Sequence, residues 1–392
     1  MLKHTPHMPI TSPNTAAQRA THTAAEDSQP NVTEWRGLVT EFQKPSAWRA
    51  TWQIVNSFGS YALVWYLMYL SVAVSWWLTL PLAILAGGLL VRTFIIFHDC
   101  GHGSFFKSRL ANDVTGFIAG MVNFTPYYHW RWEHAVHHAT SGDLDRRGTG
   151  DVWTMTVKEY RAASRWKRLG YRVVRNPFVL LFVAPFYLFV IRERFSTSGA
   201  SPRERRSVWF MNLAIGAMVV ALSSAFGLGN YVLIQLAVMM TGGAVGVWMF
   251  YVQHQFEDTY WARREDWDYT AAALEGSSFY KLPAILQWFT GNIGFHHIHH
   301  LSSRIPNYNL ERCHDSHPIF SNVKPITLRS SLKSLHFRLW DEEDCKLVGF
   351  DRKKHRRIAV QTSSTRHTSH PPGTATDHIA THESSGRSAR GS

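Results

Sequence analysis

Long stretches without a single charged side chain are the feature that most limits what this chain can fold into. Between residues 55 and 97 the only charged residue is Arg92, and residues 208–227 and 230–252 contain none. Each uncharged stretch is about 20 residues or longer, enough for a helix to cross a hydrocarbon core of roughly 30 Å. The mean hydropathy of the whole chain is slightly negative only because polar tails dilute this apolar middle. The sequence therefore predicts an integral membrane protein.

The apolar blocks are arranged as two predicted helical hairpins. The four predicted spans are residues 54–75, 77–97, 208–226 and 231–253. Two further apolar stretches lie between the hairpins, at residues 110–128 and 177–191. The first is interrupted by polar residues and the second is short, so both are predicted to be interfacial or re-entrant. The predicted fold class is an all-α integral membrane protein with four transmembrane helices in two hairpins.

The net charge of +13 is concentrated in two segments. Residues 158–206 hold twelve basic and three acidic side chains, and residues 351–392 hold eight and three. Beside several spans, such clusters indicate loops on the cytoplasmic side that meet anionic lipid headgroups, and nucleic-acid binding is a remote alternative. Because basic residues precede both hairpins, both are predicted to start and finish on the cytoplasmic side.

Polar tails flank a single predicted domain. Residues 1–33 and residues 351–392 are rich in Thr, Ser, Pro and His and lack a hydrophobic period, so they are predicted to be disordered, the C-terminal tail being basic. The domain between them covers residues 34–350. The first residues lack the apolar region of a signal peptide, so the first span must direct insertion. Three cysteines cannot form a disulfide framework, which favours a reducing environment for the polar parts.

Histidines recur in three tight clusters near the ends of the apolar segments. His98 and His102 are spaced i, i+4, and two later clusters each place three imidazoles at i, i+3, i+4. The later clusters are His134, His137 and His138, and His296, His299 and His300. On a helix each set shares one face, and neutral imidazole is the commonest protein ligand for transition metals. Since an even number of spans separates the clusters, all three fall on one side of the membrane and can form one metal centre.

The number of imidazoles favours two metal ions. A catalytic zinc typically takes three protein ligands and a water, whereas about nine histidines are brought to one side here. Imidazole suits iron, copper or zinc, and of these two irons can take electrons and activate dioxygen beside a lipid-like substrate. The predicted topology alone does not decide whether His254, at the end of the fourth span, is a metal ligand or an interfacial histidine. His129 is interpreted as structural, and the histidines of the C-terminal tail as solvated.

The order HDCGH, HAVHH and GFHHIHH resembles the three histidine boxes of the membrane fatty acid desaturase family. The flanking text HHATSGDLDRRGTGDVWTMT and GNIGFHHIHHLSSRIPNYNL is similar to bacterial acyl-lipid desaturases of the Δ12 (omega-6) type, and the resemblance covers about residues 50–330. It implies a non-haem di-iron enzyme with four transmembrane helices and a cytosolic helical cap that carries the site. Such an enzyme uses O₂ and two electrons to convert a saturated bond of an acyl chain to a cis double bond. The expected location is a bacterial inner membrane, with the site on the cytoplasmic side.

The resemblance also implies nine iron ligands. They are His98, His102, His134, His137, His138, His296, His299 and His300 of the boxes, and His254 as the additional ligand at the end of the fourth span. His297 is an additional histidine within the third box. On a helix it lies about 100° from His296, off the face that the ligands share, so it is expected to support the ligands without binding metal. Stearoyl-CoA desaturases carry an Asn at the position of Phe250. The water-mediated contact that this Asn makes is therefore not expected in this chain.

The expected partners are a fatty acyl substrate (carried on a lipid, CoA or a carrier protein), membrane lipid and an electron donor. Because the sequence contains no His-Pro-Gly-Gly motif of a cytochrome b5 domain, the electrons are expected from a separate carrier, such as a ferredoxin or a cytochrome b5-like protein. Part of the basic segment 158–206 either docks an acidic carrier or only contacts lipid headgroups, and both interpretations are open. No nucleic-acid partner is expected.

Three other functions are compatible with parts of the pattern. A hydroxylase, ketolase or epoxygenase uses the same boxes, and product analysis separates these enzymes from a desaturase. An intramembrane zinc metalloprotease would need the glutamate of HEXXH, which is absent, and would leave two clusters unexplained. A b-type haem carrier would need single histidines that face each other within the spans, whereas the clusters here lie beyond span ends.

Overall fold

A computed structural model describes residues 32–350 of the chain, with side chains from Trp35 onward. The two predicted disordered tails lie outside the described residues, except that residues 32 and 33 begin the first helix.

The described residues are mostly helical. The α-helices are α1 (Val32–Val39), α2 (Ala47–Val72), α3 (Trp76–His102), α4 (Arg109–Val122), α5 (Tyr127–Thr140), α6 (Val157–Ala162), α7 (Arg165–Val174), α8 (Ala184–Phe186), α9 (Pro202–Phe226), α10 (Leu228–His254), α11 (Tyr269–Leu274), α12 (Ala284–Phe289), α13 (His296–Leu301), α14 (Asn307–Ser316), α15 (Pro318–Ser321) and α16 (Leu328–Ser331). Shorter 3₁₀ turns cover Thr40–Gln43, Arg192–Arg194 and Leu332–His336, and π-helical turns cover Val179–Val183 and Tyr187–Ile191.

The four predicted spans correspond to α2, α3, α9 and α10, which are 25 to 27 residues long. Within the described residues, α3, α9 and α10 are long and apolar enough to cross a membrane. A fourth candidate arises if α7 and the segment Val179–Arg194, bent by 65° relative to it, are one broken span. The helix α2 is long enough but is diluted by polar residues such as Gln53 and Asn56, so its composition alone does not mark it as a span.

A short link joins α2 and α3. The Ser46 hydroxyl accepts from the backbone N–H of Arg49 at the start of α2, and the Ser75 hydroxyl caps α3 in the same way. The helix α3 is longer than the predicted second span, residues 77–97, because it continues through His98 to His102. An apolar pattern marks only the part of a helix that lipid or core covers, whereas the backbone hydrogen bonds run on across polar residues. The helix ends at Gly103, whose φ of 69° is a left-handed conformation that glycine adopts without strain.

The helices α9 and α10 follow each other around Gly227, as the sequence predicts. The first begins at a capping box, in which the Ser201 hydroxyl accepts from the Glu204 backbone and the Glu204 carboxylate accepts from that of Ser201. The helix α9 starts at Pro202, six residues before the predicted span. The predicted span begins later because the basic first turn of the helix has no hydrophobic pattern.

The helices α3 and α10 approach each other very closely. The Thr241 hydroxyl donates to the Ala83 carbonyl at 3.0 Å, and a Cβ added to Gly87 would lie 2.8 Å from the Gly242 nitrogen. Only residues without a side chain allow two helix backbones to come this near. This contact fixes the position of α3 relative to α10. The last turn of α3 carries His98 and His102, and that of α10 carries His254.

The charged residue in the apolar middle of α3, Arg92, is buried and has polar partners. Its Nε donates to the Ser57 hydroxyl of α2 at 3.0 Å, and its guanidinium lies 4.0 Å from the centre of the Trp288 ring. It also donates to the Trp288 carbonyl at the end of α12. A charged side chain within a membrane helix is tolerated where protein groups satisfy it. Arg92 thus ties α2, α3 and α12 together.

The two shorter apolar stretches do not form straight spans. The first becomes α4, a 14-residue helix that is below the length needed to cross a bilayer. The second becomes the two π-helical turns on either side of α8. Together with α7 it is compatible with a broken span or a re-entrant loop.

The all-α prediction is wrong in one respect, because the described residues also contain two small sheets. The strands are β1 (Met155–Thr156), β2 (Phe279–Tyr280), β3 (Pro325–Ile326), β4 (Leu339–Asp341) and β5 (Lys346–Val348). In one sheet β4 pairs parallel to β1 and antiparallel to β5, and in the other β2 pairs parallel to β3. Strands of two or three residues are too short to show an alternating hydrophobic pattern, so no periodicity predicts them.

Candidate metal centre

Four helices bring the predicted histidines to one place. The last turn of α3 carries His98 and His102, and α10 ends at His254. The other two helices belong to the polar part of the chain. They are α5, with His134, His137 and His138, and α13, with His296, His299 and His300. All nine imidazoles lie in one continuous cluster of ring contacts.

Five of the imidazoles form one compact group, which we call the first group. Its members are His98, His102, His134, His138 and His299, and each offers a ligand nitrogen within 4.8 Å of the others. The His138 Nε2 lies 3.2 Å from that of His134 and 2.9 Å from that of His299. Five nitrogens from three separate helices thus converge on one small volume.

The remaining imidazoles form a second group beside the first. The ligand nitrogens of His137, His254 and His300 lie within 4.8 Å of one another. His296 adjoins them, since its Nε2 lies 3.0 Å from the His254 Nε2. The rings of His138 and His300 stack at 4.1 Å, so the two groups are direct neighbours. We refer to these four histidines as the second group.

The partners of Nδ1 in three rings favour the neutral tautomer in which the nitrogen facing the centre carries a lone pair. The Nδ1 of His98 donates to Asp99 at 3.0 Å, that of His137 to Asp151 at 2.6 Å, and that of His254 approaches the Gly276 carbonyl at 3.4 Å. Because a neutral imidazole has one N–H, each Nε2 is left as an acceptor. Yet the Nε2 atoms of His137 and His254 face each other at 3.2 Å. Two lone pairs at this distance repel unless a cation lies between them.

The spacing of the facing nitrogens fits a bound metal ion. Two imidazole nitrogens at about 2.1 Å from one ion lie about 3.0–3.4 Å apart for angles between about 90° and 109°. The four shortest nitrogen pairs in the cluster span 2.9 to 3.2 Å. The Nε2 atoms of His102 and His300 are also buried and lack a hydrogen-bond partner among the described residues. Both groups therefore have the donor atoms, spacing and unsatisfied nitrogens that a metal ion requires.

Burial keeps the imidazoles of the polar helices in the form that binds metal. Loss of solvent, together with neighbouring imidazoles, lowers the pKa of His134 and His138 on α5 well below the usual value. The same two causes lower the pKa of His296, His299 and His300 on α13. An unprotonated ring offers its lone pair to a cation at neutral pH, whereas a protonated ring does not.

Two carboxylates, which the sequence analysis missed, orient one ligand in each group. Asp99 is 1% exposed, and its second oxygen accepts from the backbone N–H and the side-chain amide of Asn307, at 2.6 and 2.9 Å. Asp151 holds His137 and also accepts from the Gly148 backbone at 3.1 Å. Such carboxylate–imidazole pairs fix the ring orientation and strengthen the nitrogen as a donor. The position of Asp99 inside the first histidine box was the one available signal.

The Asp99→Asn variant is expected to weaken metal binding at the first group about 10–100-fold, because the amide cannot provide the negative charge that polarises His98. A chelator competition titration on the purified protein measures this affinity. The matched control is Asp145→Asn, since Asp145 pairs with Arg263 at the surface of the polar part and has no histidine partner in the structure. Equal affinities in the Asp99→Asn variant and the unmodified protein would contradict the orienting role.

His297, Phe250 and His129 lie outside the two groups. The Nε2 of His297 lies 3.2 Å from the Nδ1 of His314 and 3.0 Å from the Phe320 carbonyl, and burial lowers the pKa of His297 to about 3. The Phe250 ring packs 5.3 Å from both His137 and His254, so an apolar surface takes the place of an amide there. The Nε2 of His129 accepts from the Thr197 backbone at 3.3 Å.

Comparison with known proteins adds an independent observation. The family model described as "Fatty acid desaturase" matches residues 75–321. A "Fatty acid desaturase" of Bacillus subtilis is 48% identical over 326 residues, which are 83% of this chain and 93% of that protein. An "sn-1 oleoyl-lipid 12-desaturase" of Synechocystis is 29% identical over 63% of this chain and 71% of its own length. An "sn-1 acyl-lipid omega-3 desaturase (ferredoxin)" of the same organism is 26% identical over 68% of this chain and 72% of its own length.

Proposed function

Because this chain belongs to the fatty acid desaturase family, we propose that it introduces a cis double bond of the Δ12 (omega-6) type into a fatty acyl chain by means of a non-haem di-iron centre. The convergence of nine imidazoles into two adjacent groups is the observation that carries this proposal. The regiochemistry is supported by the names of two cyanobacterial relatives, both described as oleoyl-lipid 12-desaturases.

In this proposal each group holds one iron ion. His98, His102, His134, His138 and His299 would hold one ion, and His137, His254, His296 and His300 the other. When bound, the iron pair supplies the reductive activation of O₂ that zinc cannot provide. His297 supports the third box from behind through His314.

The chain orients the imidazoles and keeps the centre dry. Asp99 and Asp151 hold the rings of His98 and His137, and the eight residues of the boxes together with His254 are at most partly exposed. The reaction removes two hydrogens from the acyl chain and, with two electrons and two protons, reduces O₂ to two molecules of water. A closed centre limits loss of the oxidant to bulk water.

We further propose that α2, α3, α9 and α10 cross a bacterial inner membrane as two hairpins, and that the remaining helices form a cap on the cytoplasmic side. The composition of α3, α9 and α10 and the length of α2 support four spans. The basic residues before each hairpin support the cytoplasmic orientation. Residues 34–350 constitute the catalytic domain in this proposal.

The substrate is proposed to be a fatty acyl chain esterified to membrane lipid, and the electron donor a separate carrier. Ferredoxin is the donor that we favour, because it appears in the name of the omega-3 desaturase relatives. A cytochrome b5-like carrier is the other donor class compatible with the sequence.

The test is expression in a bacterial host that makes oleoyl lipids but lacks polyunsaturated lipids. The full chain is expected to produce an 18-carbon diene with its new double bond at C12, located by mass spectrometry of derivatised fatty acids. The matched control is the His138→Ala variant, which removes a nitrogen shared by two close pairs of the first group. A hydroxylated or epoxidised product from the unmodified chain would contradict desaturation, and a double bond elsewhere would contradict the Δ12 assignment.

A further inference from the structure

The helix α7 carries only basic charges and lies in a long segment without acidic residues. Between Glu159 and Glu193 the chain has seven basic residues and no Asp or Glu. Four of the seven lie within α7, and three of these four, Arg165, Lys167 and Arg172, are at exposed positions. The positive charge of α7 attracts anionic partners, such as lipid headgroups or an acidic protein.

The inner face of α7 is fixed by two buried side chains. The Tyr171 hydroxyl accepts from the Met155 backbone at 3.2 Å and donates to the Arg338 carbonyl. One turn later Arg175, which is 1% exposed, donates to the Gln255 side chain at 2.7 Å. Residues four apart share a helix face, so these contacts determine which face of α7 points outward.

The outward face is apolar. Trp166 is 71% exposed, Leu169 50% and Val173 48%, and their i, i+3, i+7 spacing makes them one stripe. Val173 lies about 200° around the helix from Tyr171, opposite the face that contacts the protein. Arg165 and Arg172 flank the stripe on one side, and on the other side the nearest basic residue is Lys167, about 100° around the helix from Trp166. A large apolar stripe between basic flanks is the pattern of a helix that lies in a membrane interface.

The stripe continues into a segment that itself has the composition of membrane-embedded chain. Phe178 and Phe182 follow α7 and are 65% and 53% exposed. Phe182 lies in the segment Val179–Arg194 and Phe178 immediately precedes it; this segment is bent by 65° relative to α7, and the two together are long and apolar enough for a broken span or a re-entrant loop. A bend at the start of an apolar segment is where a chain passes from the surface of a bilayer into its interior.

From these observations we propose that α7 lies in the plane of the membrane and binds an anionic lipid surface. Trp166, Leu169 and Val173 enter the acyl region, and the flanking basic side chains contact phosphate-bearing headgroups. An acidic electron carrier would be attracted by the same charges, but docking of a carrier does not explain why the apolar stripe runs on into the apolar segment Val179–Arg194. The exposed stripe and its continuity with Val179–Arg194 therefore favour lipid over a protein carrier. This inference does not depend on the reaction that the metal centre performs.

The experiment measures where the stripe lies in a bilayer. Single cysteines for spin labelling are introduced as Trp166→Cys, Leu169→Cys and Val173→Cys into the full chain carrying Cys345→Ser, because the other two cysteines are buried. Leu213→Cys in α9, 71% exposed on a candidate span, is the lipid reference, and Arg161→Cys in α6 is the aqueous reference. Each protein is reconstituted in phosphatidylcholine with and without phosphatidylglycerol, and accessibility to O₂ and to a water-soluble nickel complex is measured.

All three stripe positions are expected to favour O₂ over the nickel complex, as Leu213→Cys does. With phosphatidylglycerol the labels are expected to move deeper, and the triple variant Arg165→Gln, Lys167→Gln, Arg168→Gln should lose that response. Preference for nickel at all three positions would place the stripe in water and overturn the proposal in favour of a carrier dock. Protection from both reagents would also overturn it, because protein rather than lipid would then cover the stripe.

Discussion

Replacing His254 by alanine is expected to abolish desaturation as completely as replacing a histidine of the three boxes. Its Nε2 lies 3.0 Å from that of His296 and 3.2 Å from that of His137, so it occupies the middle of the second group. Loss of a supporting residue behind a metal ligand already lowers affinity or activity about 10–100-fold, so loss of the ligand itself should exceed about 100-fold. Product formation in cells and iron per chain after purification measure the two effects.

The matched control is His297→Ala, the same substitution at another fully buried histidine of the cluster region. His297 faces His314 and Phe320 instead of the ligand nitrogens, so its loss removes packing and a hydrogen bond but no metal donor. We expect the His297→Ala protein to retain iron and measurable turnover. Full activity in His254→Ala together with complete iron loss in His297→Ala would reverse the assignment.

Iron removal is expected to eliminate turnover completely, and the purified enzyme is expected to hold two irons per chain. The expectation rests on two groups that each have several convergent nitrogens, of which His138 and His300 bring the groups into ring contact. Turnover should return after treatment with ferrous iron and should not return with zinc, which has no redox chemistry. Metal analysis by mass spectrometry, paired with product formation by the same sample, measures both quantities.

The control for chelator damage is the unfolding temperature of the treated protein before and after iron is restored. An enzyme that contains one zinc and no iron, and is fully active, would contradict the di-iron centre. So would recovery of the same turnover with zinc as with iron.

The long apolar helices and the histidine clusters were predictable from sequence because their signals are local. Uncharged runs mark α3, α9 and α10 directly, since crossing a bilayer needs about 20 apolar residues. The spacing of His134, His137 and His138 places them on one face of any helix that contains them, and α5 is such a helix. Local spacing also separates His297 from His296, as α13 shows.

The supporting contacts were not predictable because they join residues far apart in the chain. Asp99 meets Asn307 across 208 positions, and no spacing rule links an aspartate in one helix to the first residue of another. The apolar pattern stops at residue 97, whereas α3 runs on to His102, because hydrophobicity marks the apolar part of a helix and not its end. The short strands are decided by the partner strand rather than by a pattern of their own.

Variants at Gly87 are expected to resemble lesions of the metal centre in any genetic screen that scores only product. Gly87 precedes His98 by 11 residues, about three turns of α3. A side chain there would meet the Gly242 backbone and push α3 away from α10, carrying His98 away from His254. The Gly87→Val protein should therefore lose iron and melt earlier, whereas Gly216→Val, with nothing within 4 Å of its added carbon, should do neither. Unchanged iron content in Gly87→Val would disprove this. The expected result would place inactivating substitutions in the apolar middle of α3, far from any reacting atom.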